Sequence, residues 1–283
     1  MWQRFLSLDP RIIYGLLIVA ILIPFFTNMS VPVEVMPLTK QAFDVIQSLP
    51  AGAKVVISYD YGFGTQPEHD PILVALLGHL ARRDAKVYAM ASVADGPMLA
   101  EGTLRTYESL GKKYGTDMVN LGFFAGGEAG LAALCKDVRS VYRTDLRGTR
   151  LDDIPMMKDV KTISDFALII SANSGPTGGA LVDVWIRQTV VPYKSKLLIG
   201  LSAIMIPQAM PYIQSKQVVG LVGGLRGGAE YEMLAGSPGD ATRAMGAQSS
   251  THFLVLTLIL LGNIGSWITR RGKSIERGAE HVD

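Results

Sequence analysis

Cysteine and histidine are scarce in this chain, which carries one Cys, Cys135, and four His among 283 residues. A single thiol can form no intramolecular disulfide and supplies no paired-cysteine metal knuckle. Its ordinary place is a buried, apolar one. The shortage of histidine narrows nucleophilic catalysis. His281 falls in the C-terminal tail, His252 at the membrane face and His79 inside an apolar helical stretch. Only His69 is left as a base for a serine, and no G-x-S-x-G elbow accompanies it. Charge of one sign is lacking too: 27 Lys and Arg against 25 Asp and Glu leave a net +2. Nucleic-acid binding through a basic footprint is therefore not expected.

What the chain does have is apolar sequence, 48% of its residues, concentrated at both ends. IIYGLLIVAILIPFF (12–26) and FLVLTLILLGNIGSWI (253–268) carry no charge. With their flanks each approaches the roughly 20 residues that cross a bilayer, and no small-x-small cleavage pattern follows Phe26. Arg4 and Arg11 precede the first stretch; Arg270, Arg271, Lys273 and Arg277 follow the second. The inner flanks are nearly bare of Lys and Arg, so the positive-inside bias puts both termini in the cytoplasm. The expected order is a cytoplasmic tail 1–11, a span 12–30, an extracytoplasmic domain 31–248, a span 249–269 and a tail 270–283, in the plasma (inner) membrane. Gly262, Asn263 and Gly265 sit together on the second span. Small residues allow close helix approach in lipid and an amide seeks a partner there, so these three are candidate packing residues.

Between the spans, apolar runs alternate with amphipathic ones. KVVISY, KVYAMA, MVNL, FALIIS, KLLIGL and VVGLV read as strands, each followed by a helical pattern, the first from about Pro71 to Arg83. Continuous Val/Ile/Leu runs mark strands covered on both faces. The alternation predicts a three-layer α/β domain with a mostly parallel sheet of about six strands and a core over about 40–240. In outline it resembles a Rossmann-like architecture. Residues 139–165 break the rhythm and read as a charged excursion, of the kind that forms lids or contact surfaces.

Ligands of open parallel sheets bind outside the strand C-termini. DYGFGTQPEHD (60–70), SANSGPTGG (171–179) and GGLRGG (223–228) all lie there. Asp60, Tyr61 and His69 come from the first; Ser171, Asn173, Ser174 and Thr177 from the second; Arg226 from the third. These eight are the candidate ligand contacts. Glycine-loop backbone N–H groups with Ser174 and Thr177 suit an anion at a helix start, but neither glycine-rich loop matches G-x-G-x-x-G or the P-loop with its Lys. In 60–70, metal ligands would have to converge, whereas Glu68, His69 and Asp70 are consecutive. The local expectation is that Asp70 caps a helix starting with Pro71, with no metal and no cofactor. The sum is a membrane-anchored subunit, leaning non-enzymatic. Its partners are the lipid bilayer and further copies or other membrane subunits. The alternatives are a small-ligand-binding or sensing domain, and a tethered hydrolase using His69, Asp60 and Ser174.

Overall fold

The computed structural model describes residues 8–27, 34–175 and 181–279. The chain divides into two compact units: the terminal segments, up to residue 32 and from residue 243, and the body Val33–Thr242.

The body is an α/β domain around one six-stranded, all-parallel sheet in the order β3-β2-β1-β4-β5-β6. A helix α2 (Pro37–Gln47) enters it, after the N-terminal α1 (Pro10–Thr27) of the other unit. Then follow β1 (Lys54–Asp60), α3 (Gln66–Arg82), β2 (Lys86–Ala91), α4 (Gly96–Ser109) and β3 (Met118–Phe123). The second half runs α5 (Gly127–Lys136), α6 (Val138–Val141), β4 (Leu168–Asn173), α7 (182–193, with a π-turn over Ile186–Val190), β5 (Leu197–Leu201), α8 (Ile206–Gln214), β6 (Gly220–Gly223) and α9 (Gly224–Leu234). The strand order reverses between β1 and β4, as in a Rossmann-like sheet. Asp60 stands opposite Asn173, Asn173 opposite Leu201 and Leu201 opposite Gly223, so four strands end level at one edge.

Both sheet faces are buried, which is why the strands lack polar alternation. Val55, Ile57 and Tyr59 of β1 pack with Leu73, Leu76 and Leu77 of α3 and with α2, α4 and α9 residues. Val56 points to the other face, with Leu131 of α5 and Trp185 of α7. The excursion 139–165 is not a surface lid. Leu151, Ile154, Met156, Met157, Val160 and Ile163 are buried in this second face, on and between three 3-10 turns. Arg139 fastens it, donating to the Met157 carbonyl at 2.9 Å, to Asp152 at 3.1 Å and to the Val160 carbonyl.

Two boundaries differ from the sequence expectation. Helix α3 starts at Gln66, with Pro67 in its first turn and Pro71 inside. Two prolines compete for the helix start here, and the earlier one takes it. Asp70 is thus not a cap; it accepts hydrogen bonds from the Tyr61 hydroxyl at 2.6 Å and from Gln66 Nε2 at 2.7 Å. Helix α2 was not foreseen. It covers the β6 end of the sheet so closely that a Cβ on Gly220 would lie 2.5 Å from Ala42 Cα.

The terminal unit holds α1 and α10 (Asp240–Ala279), whose first residues belong to the body. Over Asp240–Thr269, α10 is long and apolar enough to span a membrane; the apolar part of α1, Pro10–Pro24, is shorter. Ser250 Oγ of α10 donates to the Ala20 carbonyl of α1 at 2.8 Å.

Candidate functional site

Asp60 ends β1 at the point where strand order reverses. Side chains two apart on a strand share a face, so Ser58 sits beside it, and the β1–β4 register sets Ser171 opposite Ser58. Ser92 follows β2 directly, and Trp185 comes down from α7. The result is a buried carboxylate holding five donated hydrogen bonds. Ser58 Oγ (2.6 Å), Ser92 N (3.2 Å) and Ser92 Oγ (2.5 Å) reach Oδ1; Ser171 Oγ (2.8 Å) and Trp185 Nε1 (2.9 Å) reach Oδ2. Burial raises the Asp60 pKa above the ordinary carboxylate range, opposed by the donors from Ser58, Ser92, Ser171 and Trp185. A carboxylate so saturated is a clamp joining β1, β2, β4 and α7.

The other candidate residues disperse. Tyr61 and His69 are buried and stacked on each other, centroids 4.5 Å apart at 16°. His69 Nδ1 contacts the Thr65 carbonyl at 3.1 Å, while Nε2 has no partner among the described residues. Asn173 Oδ1 accepts from Gly175 N at 2.9 Å and so shapes the turn after β4. Arg226 is half-exposed and donates from Nε to buried Glu230 at 2.9 Å. That pair lies at a separate, largely apolar cavity with Met36, Leu38, Ile206 and Met210. Thr177 lies outside the described residues. In the terminal unit Gly265 is buried, Asn263 is exposed, and a Cβ on Gly262 would meet nothing within 4 Å. Among the described residues, no group of three His, Cys, Asp or Glu side chains is placed to hold a metal.

Among the described candidates, Ser174 alone reaches an open cavity at the switch point. About 370 Å³ is enclosed by Gly62, Phe63, Gly64, Thr65, Val93, Ala94, Asp95 and Ser174. Its floor is the 3-10 turn Phe63–Thr65 after β1, its wall the turn between β2 and α4. Ser174 Oγ is buried without a hydrogen-bond partner among the described residues. Asp95 stands at the start of α4, yet its side chain caps nothing there; Oδ2 instead accepts from Phe63 N at 3.3 Å. A Cβ on Gly62 would come within 3.0 Å of that same oxygen, so the glycine lets the two loops close on each other. No family model, curated protein or solved structure matches this chain.

Of the residues singled out from the sequence, Ser174 lines this cavity, Asp60 and Ser171 belong to the buried clamp, and Tyr61, His69 and Arg226 lie in other surroundings. Phe63 and Asp95 line the cavity as well; in the sequence Phe63 stands with Tyr61, Phe123 and Phe124 beside the expected crevice, as pocket lining or docking surface, and Asp95 reads as the N-cap of a helix. One signal could have found Asp95: it follows the strand expected beside β1, where an acidic side chain faces the first loop of a parallel sheet.

Proposed function

We propose that this protein is a membrane-anchored, non-enzymatic subunit. It presents its α/β domain outside the cytoplasm and assembles through its terminal helices with copies of itself or with other membrane subunits. The observation that carries this reading is the apolar surface of α10, where Phe253 and Leu260 are 74% and 61% exposed. In lipid such a surface is solvated, and Asn263, exposed among these side chains, gains a partner only from another helix or a headgroup. The Ser250 bond to α1 supports a second span paired with the first, and the Lys/Arg bias of the tails supports cytoplasmic termini. The separate surroundings of Asp60, His69, Ser174 and Arg226 favour the non-enzymatic reading over a tethered hydrolase, which needs such groups together.

Light scattering on the full chain in mild detergent tests assembly: a protein mass well above 30.5 kDa is expected, and a monodisperse monomer refutes it. Topology is tested with single reporter cysteines at residue 44 and residue 277. An impermeant maleimide added to intact cells should label the first and not the second.

A second reading is favoured by the switch-point cavity: the domain also binds a small ligand there. The supporting feature is Ser174, a buried hydroxyl facing that space with no partner in the described chain.

A further inference from the structure

The cavity's chemistry narrows what it can hold, and this step rests on the ligand-binding reading above. Among the described lining residues Asp95 is the one charged side chain, and there is no Lys, Arg or His. Phosphate or carboxylate ligands would meet a negative group with no compensating cation. Asp95 is only half-buried, and one oxygen, Oδ1, carries no hydrogen bond among the described residues. A carboxylate accepts strongly from O–H donors. Ser174 can both donate and accept, and its hydroxyl does neither among the described residues. Phe63 offers a ring that is 55% exposed, a surface on which a sugar's C–H face or a base can lie. The cavity volume of about 370 Å³ lies within the range of about 300–1,000 Å³ common for small-molecule sites.

We propose that the cavity between the Gly62–Thr65 turn and Asp95 binds a neutral vicinal diol, with Asp95 accepting from the hydroxyls, Ser174 pairing with a ring or hydroxyl oxygen and Phe63 stacking on the ring. A free sugar and an unphosphorylated nucleoside share this chemistry. Asp95 is the specificity-determining residue: it rewards hydroxyl pairs and rejects anions.

The test is calorimetry on the full chain in a detergent without a sugar headgroup. The probes are glucose, adenosine, 2′,3′-dideoxyadenosine and AMP. Saturable binding of glucose or adenosine is expected, and which of them binds identifies the source. If adenosine binds, loss of its diol should weaken it at least tenfold and AMP should bind more weakly than adenosine. Asp95→Asn should weaken the binding probe about tenfold, and Ser174→Ala severalfold, with melting temperature close to the parent. The second variant stands if the first misfolds. The proposal is overturned if the dideoxy compound or AMP binds as well as adenosine, or if neither variant weakens the diols. It is also overturned if neither diol saturates below 10 mM. In that last case a panel of amines and phosphates separates two failures. Binding that is lost in Ser174→Trp leaves a ligand site of another class, and no binding at all removes the ligand-binding reading too.

Discussion

Replacing Asp60 by asparagine tests the clamp at the switch point. The two side chains have nearly the same shape, so packing is kept and only hydrogen-bond polarity changes. Asparagine must turn its amide NH2 toward one of the two positions now held by oxygen. If it replaces Oδ1, it faces the Ser92 backbone N–H; if it replaces Oδ2, it faces the Trp185 indole N–H. Both are donors that cannot accept. The serine hydroxyls can rotate, but one N–H is left buried and unpaired in either orientation. An orphaned buried donor costs about 1–3 kcal/mol, and the remaining bonds lose the assistance of the carboxylate charge. We expect a loss of about 2–4 kcal/mol for Asp60→Asn and about 3–5 kcal/mol for Asp60→Ala. The assay is urea unfolding of the full chain in detergent, in a Trp2→Phe, Trp267→Phe background where Trp185 is the only remaining tryptophan. Its emission reports the clamp directly. A cost under about 0.5 kcal/mol for Asp60→Asn would refute the reasoning, because it would mean the carboxyl already carries a proton that the amide imitates.

Other outcomes follow from the same structure. Glu232 accepts from the backbone N–H of Gly239, Ala241 and Thr242 and from the Thr242 hydroxyl, thereby capping α10. Glu232→Ala should cost about 1–2 kcal/mol and speed amide exchange at 239–242, read by mass spectrometry. His79, buried between the Tyr231 hydroxyl and Gln47 and stacked on Phe43, has its pKa lowered to about 4 by burial and by Arg82 and Arg83. A depressed imidazole is neutral in the fold, so its contribution is intact above about 6.5 and is lost as pH falls from there toward about 4. The melting temperature should decline over that window, and His79→Gln should flatten the decline. Gly96→Ala would put a Cβ 2.4 Å from Ala91 Cβ and 2.5 Å from the Tyr59 carbonyl; thermal melts should show a loss of about 3 kcal/mol. Cys135, buried with its thiol pushed up to about 12, should resist a thiol-reactive dye until denaturant is added.

The strands were legible in the sequence because burial on both faces leaves unbroken Val/Ile/Leu runs such as KVVIS. The long excursion misled because its apolar residues, from Leu151 to Ile163, follow no helical or strand period. Core formed by 3-10 turns leaves no repeat to read. The site was half-legible for a related reason. Acid and hydroxyl residues cluster at 60–70 and 171–179, but a strand's two-residue period decides which of them turn inward. Asp60 and Ser171 point into the core face, whereas Phe63 and Asp95, the latter reading as a helix cap, line the cavity. Only the pairing register and the approach of the loops distinguish these cases, and neither is a local property.

The register of β1 also has a kinetic consequence. Its neighbour β2 follows within one helix, but its other neighbour is β4, and the clamp residues Asp60 and Ser171 lie 111 residues apart. At synthesis rates of about 5–20 residues per second, β1 leaves the ribosome roughly 5–20 s before the strand that covers its second edge. Throughout that interval a strand with the apolar run Val55–Ile57 offers unpaired backbone to any similar strand nearby. Pairing across so long a separation is slow even once the chain is complete. The nascent domain therefore depends on shielding of one particular edge, and failure at that step would yield strand-paired aggregates seeded by KVVISY.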